Sequence, residues 1–188
     1  MRWPIRLKKQ PADNVYQDAG MRLIADLIRS LELPGWGADL LPVYTSEEIT
    51  AIDRGLEQFQ KLANQELGGS EPGIATFHPD TAPQIRRTIA SQSLNSYADS
   101  AWQFSDHLPA NWKQVASTYL KAWASNLEPQ SLQRLGELLL KADCKAAAKK
   151  VFNVILLFPH YAKNLYGNDG RDLTDRIVEA AKQSLLGF

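Results

Sequence analysis

Apolar residues recur at three- and four-residue steps through seven successive segments of this chain, with Gly and Pro punctuating the intervals between them. A 3.6-residue period commits a segment to burying one side of a helix, so the sequence must fold as helices packed on helices. The segments run over about 14–33, 45–67, 81–105, from Pro109 through the stripe that ends at Trp123, 130–142, 144–158 and 172–186. No segment among them reads as a strand. The sharpest local signature is Thr45 followed by Glu48, a capping box in which each side chain satisfies the other residue's backbone N–H. Ile49, Ile52, Leu56, Phe59 and Leu62 or Ala63 continue that helix, and Gly68-Gly69 stops it. Pro34-Gly35 ends the first helix, which carries Leu23, Ile24, Leu27, Ile28 and Leu31. Pro83, Pro109 and Pro129 stand where the third, fourth and fifth helices begin, and Asp143 is placed to cap the sixth. The fold class is therefore all-α, an irregular bundle of about seven helices.

At 188 residues, 44% apolar and 22% charged, the chain is long enough to bury a real core as one domain. Residues 1–12 read as a basic tail and 13–188 as a single helical domain. No apolar run approaches the ~18 residues that span a bilayer. The start, MRWPIRLKKQP, lacks the apolar core of a secretory signal. The lone Cys144 excludes an internal disulfide. A reducing, cytoplasmic location is the expectation. Formal charge is zero, with 21 basic and 21 acidic residues, but it is segregated. The first ten residues hold four bases and no acid, whereas 11–71 hold eleven acids and four bases. No concentrated basic surface of the kind nucleic acid requires is implied. Segments 13–67 and 82–188 thus separate into an acidic helical pair and a longer helical remainder. Such a layout steers a charged partner or favours homo-oligomers.

The stretch LQRLGELLLKADCKAAAKKVFNVILLFP, Leu132 to Pro159, has a recognisable spacing. Leu132, Leu135-Gly136 and Leu139 are followed by Ala148 and Phe152 and closed by Pro159. The region 129–159 resembles one tetratricopeptide (TPR) repeat, with Leu132 in the place of its Trp and Leu139 in the place of its Tyr. Small Gly136 and Ala148 would let two helices cross closely, with Phe152 and the leucines filling the layer between them. The resemblance covers about one sixth of the chain, and implies a scaffold that holds a peptide or protein in a groove. Flanking segments match only in degenerate form, so an irregular bundle fits the sequence equally well.

Motifs for chemistry are sparse. His78-Pro79-Asp80 is the triplet of J-domain co-chaperones, but the basic helix that precedes it there is absent, and Asp80 serves equally as a helix cap. His78, His107 and His160 have no metal-ligand spacing, and no cofactor fingerprint occurs. Cys144 stands at a helix start, where a thiolate is favoured, but it lacks a neighbouring His and reads as a packing residue. Trp102, Trp112 and Trp123 fall on apolar stripes. Trp36, between glycines, would fold over helix ends. Trp3, Ile5 and Leu7 alternate with bases in the tail, a pattern suited to a partner groove or the surface of an anionic membrane.

The expected function is a non-enzymatic adaptor or assembly factor without metal or cofactor. Its partner is a protein or peptide, of acidic chemistry if the basic cluster Lys141, Lys145, Lys149 and Lys150 meets it. Candidate partner-binding residues, chosen by polarity and position, are Lys145, Lys149, Tyr161, Asn164 and Arg171. The alternatives are an enzyme or small-ligand site collecting His78, Asp80 and His107 around the 68–83 loop, and a structural subunit of a larger assembly.

Overall fold

The computed structural model describes residues 11–66, 82–103, 106–166 and 171–188. Among them the chain is helical, without a strand: α1 (Pro11–Leu31), α2 (Ser46–Glu66), α3 (Ala82–Trp102), α4 (Trp112–Asn126), α5 (Pro129–Lys141), α6 (Lys145–Ile155), α7 (Phe158–Tyr166) and α8 (Arg171–Leu186). A single 3-10 turn, Ala38–Leu40, interrupts the α1–α2 connector. Eight α-helices stand where the periodicity predicts seven. The extra one, α7, occupies FPHYAKNLY, a segment whose proline suggests a stop. Pro159 instead sits in the first turn of α7, where its missing N–H is lost at no cost.

The architecture is organised around α4. Every residue from Val115 to Ser125 is buried, on all sides of the helix rather than along one stripe. α3 and α5 flank it. Tyr16 and Gly20 of α1 meet it at Trp123, Glu48 of α2 at Lys121, and the connector at Ser117. A helix enclosed in this way cannot be purely apolar without losing its register, and its polar residues are bonded. Ser91 donates to the Ala122 carbonyl at 2.9 Å, and Ser125 to that of Lys121 at 3.0 Å. The far end of α4 closes through Leu127, held in the left-handed region at φ 56. Tyr16 donates its hydroxyl to the Leu127 carbonyl at 2.8 Å, so α1 completes the cap that a glycine would ordinarily provide.

The main apolar cluster draws on α1 and on α3 through α8, but not on α2. α2 lies on the outer side of α3, where Gly55 allows close approach to Ser93 and Ile89. The stripe read along α2 is therefore only partly buried. Ala63 is inside, whereas Ile49 and Leu62 are exposed. α1 packs on α6 and α7, so the two acidic helices find different neighbours.

The capping box is present as read: the Thr45 N–H donates to Glu48 Oε1 at 2.8 Å and the Glu48 N–H to Thr45 Oγ1 at 3.1 Å. Asp143 does not cap α6. It occupies the left-handed position after α5 (φ 58), with its own N–H on Leu140 and that of Cys144 on Leu139, a complete Schellman closure. The N-cap of α6 is Cys144, whose side chain makes no capping bond and donates instead to the Ala142 carbonyl. α4 begins at Trp112, and Pro109 lies in the turn before it, its carbonyl accepting the Trp112 N–H. Pro129 opens α5 as expected. The Gly68-Gly69 stop lies outside the described residues.

α5 and α6 cross at Gly136, where a Cβ would meet the Phe152 ring at 2.5 Å. Phe152 is fully buried and has no room to yield. Gly-to-Ala inside a helix ordinarily stabilises by about 1 kcal/mol. Here Gly136→Ala is predicted to destabilise by about 1–3 kcal/mol through overpacking. In a Phe152→Leu background the same change should become neutral or stabilising, as measured by urea unfolding followed by circular dichroism.

Candidate partner-binding surface

The turn between α5 and α6 meets the start of α4 at one end of the bundle, and lysines gather there. Lys145 and Lys149 are exposed one turn apart on α6. Lys141, at the end of α5, lies 5.7 Å from the Trp102 ring, and Lys113 lies 5.9 Å from the Trp112 ring. Lys113 is also close enough to Cys144 to act on its thiol. Even so, burial, followed by the Asp143 charge, pushes that thiol above its ordinary pKa, so Cys144 is not an activated nucleophile. Lys150 faces another way and pairs with Asp26 of α1 at 2.7 Å. Sequence spacing identified Lys141, Lys145 and Lys149, but Lys113 joins them only through the fold.

Tyr161 lies elsewhere. It is half-buried beyond the opposite end of α6, its ring 5.3 Å from Tyr16 and 6.0 Å from Phe158. The eleven residues of α6 span about 16 Å, so Lys145 and Tyr161 do not share a contact surface. Asn164 is on α7 and Arg171 opens α8, and their side chains lie outside the described residues, as do His78 and Asp80. His107 is exposed in the bend between α3 and α4, and His160 in the first turn of α7. Among the described residues no three His, Cys, Asp or Glu side chains gather as a metal-binding group, and no helix is long and apolar enough to cross a membrane.

The buried polar side chains form three bonded networks. The first is the most unusual: Lys121 and Glu48, both fully buried, pair at 2.8 Å. Lys121 also donates to the Val43 carbonyl at 2.9 Å and lies 5.8 Å from the Tyr44 ring. Glu48 accepts from the Thr45 N–H on one oxygen and from Thr118 Oγ1 at 2.8 Å on the other. Beside them Trp36 donates to Ser117 Oγ at 3.0 Å, and Ser117 to the Pro34 carbonyl at 2.5 Å. Sequence reading assigned Glu48 a capping role only and missed Lys121. The available signal was a lysine inside VASTYLKAWA, where its neighbours are small, apolar or hydroxyl-bearing.

In the second network Trp102 donates to the Tyr119 hydroxyl, and Tyr119 to Asp99 Oδ1, both at 2.6 Å. Arg134 pairs with the other Asp99 oxygen at 3.0 Å. Burial and the bond to Asp99 raise the Tyr119 pKa far above its ordinary value, so Tyr119 remains a donor across the physiological range. In the third, the Trp123 indole donates to the Tyr16 hydroxyl at 2.7 Å, with the two rings edge-on at 5.7 Å. These side chains are committed to one another, and each network joins helices. Four buried polar atoms lack a partner among the described residues: Asn95 Oδ1, Gln114 Nε2, Ser131 Oγ and Gln133 Oε1.

Leaving one member of a buried ion pair uncompensated costs about 3–5 kcal/mol. Lys121→Met is predicted to lose that amount in denaturant unfolding. Adding Glu48→Gln, which keeps the capping bond and discharges the site, should make the double variant more stable than Lys121→Met alone. Simple additivity of the two losses would contradict the pairing. Set beside known proteins, the chain matches no family model, no curated protein and no solved structure.

Proposed function

We propose that this chain is a non-enzymatic adaptor or assembly factor that binds an acidic segment of a protein or peptide partner. The observation that carries this reading is the exposed lysine corner, where Lys113 and Lys141 come in beside Lys145 and Lys149. Trp112 and Leu140, adjacent in sequence to two of these lysines, are partly exposed and add apolar contact area next to the charge. Aromatic and apolar anchors bordered by charge are the usual composition of a docking surface. The tetratricopeptide-like reading of 129–159 is supported by the close crossing of Gly136 on Phe152, and it makes α5 and α6 the scaffold that presents the lysines. On this reading Lys145 and Lys149 are the charge contacts, and Tyr161 supports the scaffold rather than touching the partner. A reducing cytoplasmic setting suits a chain with one half-buried thiol.

The test compares the wild-type chain with Lys145→Glu/Lys149→Glu as bait in native lysate, with circular dichroism confirming equal folding. The reading predicts one stoichiometric protein partner, eluted by moderate salt and lost from the double variant. Equal capture by both baits, or capture by neither, would contradict it.

A further inference from the structure

Between Ser30 and Asp53 the chain carries five carboxylates and no lysine or arginine. Glu48 is committed to Lys121, while Glu32, Asp39, Glu47 and Asp53 are exposed. The same stretch holds three of the eight large apolar side chains exposed among the described residues: Leu41 at 41%, Val43 at 57% and Ile49 at 48%. Leu41 and Val43 flank Pro42, whose bridge partner is Trp36, and alternate residues of an extended arm leave it on the same side. Ile49 follows in the first turn of α2.

Isolated apolar residues at a surface need no explanation. These are held out by construction. The Val43 N–H is bonded to the Gly35 carbonyl and the Gly37 N–H to that of Leu41, both at 2.8 Å. From below, Lys121 fixes the Val43 carbonyl and Ser117 that of Pro34. Asp39 and Leu40 both sit in the left-handed region, at φ 59 and 58, a costly conformation for residues other than glycine. A connector free to relax would turn Leu41 and Val43 inward. This one is locked with them in water, in a stretch whose charged residues are all carboxylates.

Residues 1–10, MRWPIRLKKQ, have the complementary chemistry: Trp3, Ile5 and Leu7 at a two-residue step, with four bases and no acid. We propose that this segment of a second copy docks on the Leu41, Val43 and Ile49 surface, so that copies of the chain associate through it. Reciprocal docking between two copies buries both apolar sets against opposite charge, and docking of the segment on its own copy is the monomeric outcome of the test.

Sedimentation equilibrium on the full chain, from micromolar to hundreds of micromolar at low salt, tests this with two variants. Leu41→Lys/Val43→Lys removes the apolar contacts and sets positive charge against the basic segment, without touching the Val43 backbone. Trp3→Ala/Ile5→Ala/Leu7→Ala removes the apolar side of the segment. Wild type should self-associate, and each folded variant should weaken the association at least about tenfold. An equimolar mixture of the two should recover a mixed dimer, because one docking remains intact per pair. A wild type that stays monomeric throughout would overturn the proposal, as would a surface variant that associates like wild type or a mixture that recovers nothing. Anionic phosphatidylserine vesicles give the remaining arm. Vesicle binding that the segment variant abolishes, with self-association unchanged, would assign the segment to membranes and overturn the docking.

Discussion

The Glu48–Lys121 pair is the constraint on which the arrangement depends. Two full charges sit without solvent exposure between α2, α4 and the connector, and four groups converge on them: the Val43 carbonyl, the Tyr44 ring and the Thr45 N–H from the connector, and the Thr118 hydroxyl from α4. Buried ion pairs seldom add stability over an apolar replacement, since desolvation offsets their attraction. Their distinguishing property is position, because a charge taken out of water tolerates only the geometry that satisfies it. α2 adds nothing to the main apolar cluster, so hydrophobic burial alone leaves its register on the bundle weakly specified. The pair supplies that register. It anchors the first turn of α2 to the middle of α4, and the Val43 carbonyl is drawn into the same site.

From this follows the division of the molecule. α1 and α3–α8 form a core that aromatic and aliphatic packing specifies, with the Tyr16–Trp123 and Trp102–Tyr119 contacts closing its two ends. α2 forms an outer layer, and the connector joins it to the core, with Leu33 buried in the apolar cluster and Trp36 and Leu40 packed against it. Exposed features follow the same division. The lysine corner is carried by the ends of α4, α5 and α6, rigid parts of the core. The acidic apolar surface is carried by the connector, held by its own backbone bonds, by Ser117 on Pro34 and by the buried pair at Val43.

Much of the helical layout was legible in the sequence, because periodicity and capping are local. The Thr45–Glu48 box, the Pro129 start and the close approach at Gly136 all appear where the residues place them. What was illegible depends on tertiary surroundings. Pro159 reads as a stop and serves as a start, since the same missing N–H suits both. Asp143 reads as a cap and occupies a left-handed turn, which aspartate tolerates better than most residues. The α2 stripe predicts burial, but whether a stripe meets a neighbour is decided by other helices. Lys121 was invisible because a lysine on a helix normally marks its solvent side, and α4 has none from Val115 to Ser125. The candidate surface was half legible: Lys145 and Lys149 follow from spacing, whereas the separation of Tyr161 and the arrival of Lys113 are products of the fold.

The central claim is that one buried pair holds the connector and the start of α2 in place. Amide hydrogen exchange tests it most directly, comparing wild type with Lys121→Met under native conditions. The Gly37, Val43 and Ile49 amides are bonded to Leu41, Gly35 and Thr45 at 2.8, 2.8 and 3.0 Å. The account predicts that their protection falls at least about tenfold further than that of Cys144 and Ala148 in the α5–α6 crossing. A uniform loss across all five amides would contradict it, for the pair would then be one contributor to global stability and not the local fastener of the connector.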